Sequence, residues 1–515
     1  MRKIGLALIL FALILAGAPL VQAQAQKPAG ELKIALPTLY DQTFHPLWAT
    51  AMRKQYFEPM YDYIIGVNKD GKFDPKHGVA SKWEASPDLM SWTLTIKDGI
   101  NFHNGDPLTA EDVKYTLEQA GSEKNTAGRR DSFKAFVDRV ETTAPNKVVV
   151  RLKKKWPTFL YYLSTLVGVQ GMVQPKKYIQ EKGEDNFMKN PVGSGPYKFY
   201  EWKEGDYIKL VALDSHWRAV PRYKYLTFKL MPEEGTRDAA LRAGEADLIA
   251  IGLSKLQGLQ KAGFTIQQKK DGIFLDLSFL RLWREDWPTG KQKVRQALIH
   301  AIDKKEIVNK ILMGQGQDVG TSVAMFTWSI EYKPYPPTTY DPKLAKKLLA
   351  EAGYPNGFTM HIYSFETGLP ESKIINEAIA NYWEAIGVKT KILEMDYSAF
   401  KPIWISQQEP PGPACFLFAW PNRPVYAWRD KYYSTVLYTQ TKNPQLDRMI
   451  EACEAEATTE GFIAASRKIM DYVLENAYAT GICTTHELYG MNKKIPNWEM
   501  GKGFSSYRWE YIGEK

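Results

Sequence analysis

The sequence predicts an α/β protein built from more than one lobe, and three observations predict it. The chain has 515 residues, well beyond what a single hydrophobic core usually supports. Its composition, 44% hydrophobic and 24% charged, is that of a folded globular chain and argues against disorder. From about residue 290 helical spacing alternates with strand spacing, the pattern of an α/β lobe, whereas the region before it is richer in strands.

The elements follow in order. Arg2 and Lys3 precede the apolar run Ile4 to Leu15, and small residues lead to Val21-Gln22-Ala23. A positive start, a short apolar stretch and an A-x-A-like end predict a secretory signal peptide, residues 1–23, and a periplasmic mature chain. The first cysteine is Cys415, too late for a lipid anchor. Trp92 to Ile96 and Val148 to Leu152 read as strands. Between them, Thr109-Ala110-Glu111-Asp112 opens a helix with Val113, Leu117 and Ala120 on one face. A strand pair is expected at Tyr207 to Leu213 and around Leu226, Phe228 and Leu230, then a helix from Arg237 to Ala243 closed by Gly244.

Helical spacing resumes at Val294, Ala297, Leu298, Ala301 and Ile302, with Asp303 as a fresh cap for Ile307 to Leu312. Asp341-Pro342 caps a helix running to Gly353. Thr359 to Phe365 is a strand, Ile375 to Ile386 a helix stopped by Gly387, and Val388 to Leu393 the next strand. Helices near Leu446–Ala457 and Ile463–Leu474 complete the pattern.

Charge and motifs exclude several functions. The net charge of +9 becomes +7 without Arg2 and Lys3, too small on a chain this long to point to nucleic acid. Lys153-Lys154-Lys155 reads as the solvated edge of a strand. The seven histidines are scattered, and Cys483-Thr-Thr-His486 is the one metal-like spacing, short of the four ligands of structural zinc. Ser398-Ala-Phe-Lys401 matches S-x-x-K without partner motifs, and no phosphate loop is present. No enzyme activity, metal or cofactor is expected. Cys415, Cys453 and Cys483 allow at most one intramolecular bridge, whose pairing spacing does not reveal.

Four segments carry a resemblance. They are Trp83 to Ala120, with Trp92-Thr-Leu-Thr-Ile-Lys-Asp-Gly99 and Phe102-His103-Asn-Gly105; Asn190-Pro-Val-Gly-Ser-Gly-Pro-Tyr197 with Trp202; Val294 to Asp303; and Tyr340 to Leu349 with Glu351-Ala-Gly-Tyr-Pro355. In this order and spacing the chain resembles the peptide/nickel, oligopeptide-binding-like family 5 of ABC-importer solute-binding proteins. The resemblance implies a two-lobed, type II periplasmic-binding-protein-like clamshell with an extra β-rich domain on the first lobe. It assigns lobe I to residues 27–63, 191–275 and 495–515, the added domain to 64–190, and lobe II to 276–494. It also implies an inner-membrane ABC permease as partner and a monomer.

Dipeptide binders of that family hold the ligand amine with an Asp after a Gly-Trp pair, and its carboxylate with an Arg before the helix ending Ile-Gly-Val. Here Trp420 is followed by Pro421-Asn422-Arg423, so the Asp position holds Arg423; the Arg position, counted back from Ile386-Gly387-Val388, holds Glu366. With both charges reversed, an ordinary dipeptide meets two like charges in a closed cleft. Arg423 is thus a candidate receiver of an acidic group, its guanidinium able to grip a carboxylate with two parallel bonds; the alternative is a solvated loop charge. Asn422, Trp420, Tyr426 and Trp428 are candidate neighbours, and Tyr40 and Trp48 are candidates after the first strand. Gly193, Gly195 and Pro196 read as turn residues rather than an anion site. The expected ligand is an atypical peptide, an opine-like compound or another carboxylate-bearing molecule; a carbohydrate is the alternative, and behind it an exported hydrolase acting through dispersed residues.

Overall fold

The computed structural model describes residues 27–39, 43–48, 54–125, 129–321, 335–365, 369, 371–405, 408–421, 428–436, 438–501 and 506–513. Residues 1–26 and 322–334 are the longest stretches outside them. Among these residues the strands are β1 (Glu31–Leu36), β2 (Ala80–Ala85), β3 (Ser91–Ile96), β4 (Val137–Ala144), β5 (Lys147–Leu152), β6 (Tyr197–Lys203), β7 (Tyr207–Ala212) and β8 (Tyr225–Leu230). They continue with β9 (Leu248–Ile251), β10 (Thr265–Phe279), β11 (Gly316–Asp318), β12 (Thr359–Ser364), β13 (Lys389–Glu394), β14 (Ala414–Pro421) and β15 (Ala479–Met491).

One continuous sheet runs β13-β12-β14-β10-β15-β9-β1-β8-β7-β6, and β11 pairs with β15 at its side. Its two ends belong to different lobes. In the first, β1 is parallel to β8 and β9; in the second, β12 is parallel to β13 and β14. The long strands β10 and β15 cross between them, antiparallel to one another. A separate four-stranded sheet, β2-β3-β5-β4, forms the added β-rich domain. The fold is therefore a two-lobed α/β clamshell with an extra β-rich domain.

The caps read from sequence are in place. The Asp112 carboxylate accepts from the Thr109 backbone N–H at 2.9 Å, and Asp341 Oδ1 accepts from the Leu344 N–H at 2.9 Å. Gly244 ends its helix at φ 75, a left-handed conformation that costs glycine little. The Ile307–Ile311 segment differs from expectation: it is a π-helix rather than a continued α-helix. The wider turn lets Ile307 and Leu312, five residues apart, both bury fully.

Behind the joint between the first lobe and the added domain lies a buried polar network of lobe I residues. Asp62 accepts from Arg218 Nε at 2.6 Å and from the Trp217 indole at 2.9 Å, and Arg218 also pairs with Glu510. His103 of the added domain bonds the Gly195 carbonyl at 2.9 Å and accepts from the Gly193 N–H at 3.2 Å. The Gly193–Gly195 segment is thus a close-packed crossing: a Cβ on Gly193 would lie 2.0 Å from the Met60 carbonyl oxygen. All three cysteines are free and buried, so no bridge forms.

Candidate ligand site at the hinge

The crossover strands do not pair evenly. Lys269 faces Glu487 and Ile273 faces Thr485, so three residues of β10, Lys270 to Gly272, stand opposite His486 alone. Such a bulge bends the strand and interrupts the ladder, and it falls where pairing passes from one lobe to the other. On the lobe I side Leu488 of β15 is matched with Ile251, the last residue of β9. On the lobe II side Ile273 is matched with Pro421, the last residue of β14. The carboxyl ends of strands from both lobes therefore converge on one point, where open α/β sheets bind ligands. A Cβ on Gly272 would sit 2.8 Å from Glu487 Oε1 and 3.0 Å from its Cγ, so a side chain there would displace the Glu487 carboxylate.

Beside the bulge Trp420 is fixed from below. Its indole N–H donates to Asp276 Oδ1 at 2.6 Å. Asp276 is fully buried on β10, pairs with Lys431 and accepts from Ser278 Oγ at 2.8 Å. A buried carboxylate is tolerated because a buried ammonium and two further donors satisfy it. The Trp420 ring meets Phe418 at 4.4 Å and Trp404 at 6.1 Å, and Trp404 in turn meets Tyr438 at 5.0 Å. Trp420, Phe418 and Tyr438 are partly exposed, so a rigid aromatic surface ends at the hinge.

A second charged group lies just before the bulge. Lys269 is 8% exposed, with Glu487 Oε1 3.9 Å away. Burial lowers its pKa, against the charges of Glu487 and Glu58. Glu58 is itself held by Thr165 Oγ1 at 2.6 Å and the Tyr507 N–H at 3.0 Å. Among the described residues no group of three His, Cys, Asp or Glu side chains could hold a metal ion.

Of the residues singled out from sequence, the structure puts Trp420 at the hinge. Trp428, expected as an apolar wall of the ligand site, is instead 3% exposed and donates its indole N–H to Ser466 Oγ at 3.1 Å. It lines a recess between lobe II and the added domain. Trp48 stacks on His45 at 5.0 Å, which fixes its ring to its own segment. Arg423, Asn422, Tyr426, Glu366 and Tyr40 lie outside the described residues. Sequence reasoning missed Asp276 and Lys431. The signal was present: Asp276 is the one charge within Ile273-Phe-Leu-Asp-Leu-Ser-Phe279, a strand-like run in which an acid needs a partner.

The model for bacterial extracellular solute-binding proteins, family 5 Middle, matches residues 74–442. The glutathione-binding protein GsiB of Pectobacterium atrosepticum is 29% identical over 65% of this chain and 63% of its own length. The chain thus aligns with less than two thirds of that relative. Two solved structures share the fold. The periplasmic binding protein DppA of Helicobacter pylori, in complex with peptide STSA, covers 94% of this chain and 98% of its own at TM-score 0.78 and 20% identity. NikZ of Campylobacter jejuni, in complex with Ni(L-His), covers 94% and 99% at TM-score 0.79 and 21% identity. With the family model spanning well over half of the sequence, the chain belongs to the bacterial extracellular solute-binding proteins of family 5.

Proposed function

We propose that this protein is the periplasmic capture component of an ABC importer, closing its two lobes on a small carboxylate-bearing organic ligand and presenting it to an inner-membrane permease. It binds without turnover and acts as a monomer. The observation that carries this reading is the placement of Trp420. It stands at the end of β14, opposite the bulged crossover strand, and is locked to buried Asp276. Arg423 follows three residues later, and its guanidinium is the group we assign to the ligand's acid. Glutathione, in the name of the relative above, is an atypical peptide with two carboxylates, and it is the kind of ligand this charge pattern suits. A carbohydrate is the second reading, favoured by the exposed edge of the aromatic surface at Phe418, Trp420 and Tyr438.

Mass spectrometry of whatever co-purifies with the mature protein, released by denaturation, tests the reading against an Arg423→Ala variant. A single acidic molecule in the wild type, reduced at least about tenfold in the variant, is the expected result; a charge-assisted pair of this kind is worth about 1.5–3 kcal/mol. An ordinary peptide mixture retained equally by both proteins would sink the carboxylate assignment. A neutral sugar would favour the second reading.

A further inference from the structure

The added domain touches lobe II as well as lobe I. Lys154, just past the end of β5, reaches across to Glu454 Oε2 at 3.2 Å. Glu454 is also gripped by Arg429 through two bonds of 2.8 Å each. The Lys154 ammonium lies over the Phe136 ring, 4.1 Å from its centroid. Beneath this ion pair is the recess lined by Phe136 and Trp156 of the added domain and by Trp428, Arg429 and Cys453 of lobe II. No covalent link crosses this contact: the chain between the two sides returns through the first lobe and the crossover strands.

The five-residue helix Trp428–Tyr432 joins this contact to the hinge site. Its Arg429 holds Glu454, while its Lys431 holds the Asp276 carboxylate that fixes Trp420. A shift of that helix therefore acts on both places at once. The contact is also built to part. The side chains of Lys154 and Glu454 are 40% and 15% exposed, and Glu454 keeps its Arg429 partner when Lys154 leaves. Separation thus strands no buried charge, the condition that makes most buried pairs costly to break.

We propose that Lys154, Glu454 and Arg429 are positioning residues for ligand capture, forming a latch through which the added domain holds lobe II in the closed arrangement. The proposal rests on the two-lobed capture reading but not on the ligand's identity. It concerns how closure is held, so the lobes remain joined by the crossover strands in either state. Lys154 is the half of the latch that leaves, and Arg429 and Glu454 are the half that stays with lobe II.

Cys453 provides a native reporter. It is 1% exposed, lines the recess under the latch, and burial pushes its thiol up to about 12. Cys415 and Cys483 sit within β14 and β15 with 0% exposure. A thiol in that state reacts slowly, and opening of the recess exposes it. The experiment measures the rate of modification of the mature protein by an aromatic disulfide reagent, with Cys453→Ser as the control that identifies the reporting thiol. Lys154→Glu should speed modification of Cys453 by about tenfold, the factor for losing one charge-assisted contact, while Lys154→Arg should restore the wild-type rate. The melting temperature of Lys154→Glu should match the wild type, which separates latch release from unfolding. Equal rates in Lys154→Glu and the wild type, or a rate raised equally by Lys154→Arg, would overturn the proposal and leave the capture reading standing.

Discussion

The added domain meets its two neighbours in opposite ways. Toward the first lobe the joint is buried: Tyr63, 7% exposed, donates to the Gly168 carbonyl at 2.9 Å, and Glu58, 8% exposed, accepts from Thr165 Oγ1 at 2.6 Å. Behind them is the buried Asp62–Arg218–Glu510 network of lobe I. Toward the second lobe the charged contact among the described residues is the Lys154–Glu454 pair, whose lysine is 40% exposed, above the recess lined by Phe136 and Trp156 on one side and Trp428 and Cys453 on the other. Buried hydrogen bonds cannot part without leaving polar groups unsatisfied, and the charge network behind them cannot lose a member without leaving an uncompensated charge, so the first contact is permanent. A half-exposed pair exchanges protein for water at little cost, so the second is suited to making and breaking. One domain is fixed to one lobe and free to release the other, as a moving clamshell requires.

The largest expected effect breaks the lobe I network behind the permanent side. Arg218→Ala leaves Asp62 buried beside His216 and Trp217 alone and should cost about 3–5 kcal/mol, read as a lower urea midpoint with an unchanged slope. The network also predicts acid sensitivity. Burial holds His103 down to about 4, against its bond to the Gly195 carbonyl and the charge of Asp62. A histidine neutral in the fold and free to protonate when unfolded gives stability that is complete above about pH 6.5 and lost as pH falls toward 4. Unfolding at pH 7 and pH 5 should differ by about 1–3 kcal/mol from this group, and His103→Gln should flatten the difference. The smallest effect belongs to the other side. Lys154→Ala should change global stability by less than about 1 kcal/mol, and a cost near that of Arg218→Ala would erase the distinction between the two contacts.

Local chemistry made much of this fold legible. Asp341-Pro342 and Thr109 with Asp112 announce helix starts because caps are set by neighbouring residues. The crossover strands were not read, since β10 and β15 pair at separations of about 200 residues, beyond any local pattern. The same limit explains Lys154, expected at a solvated strand edge but drawn in by Glu454, 300 residues away in sequence. Trp428 shows the converse error. Its closeness in sequence to Arg423 suggested a ligand wall, whereas the helix that begins with it turns the ring onto Ser466. Trp420 was singled out through family pattern, but the Asp276–Lys431 pair that orients it joins residues 155 apart.

Small-angle X-ray scattering, before and after removal of the co-purified ligand by unfolding and refolding, tests capture by closure most directly. The structure predicts that the stripped protein expands to a larger radius of gyration and that re-addition of the released ligand returns the compact curve. Identical curves in all three states would contradict a clamshell that closes on its solute.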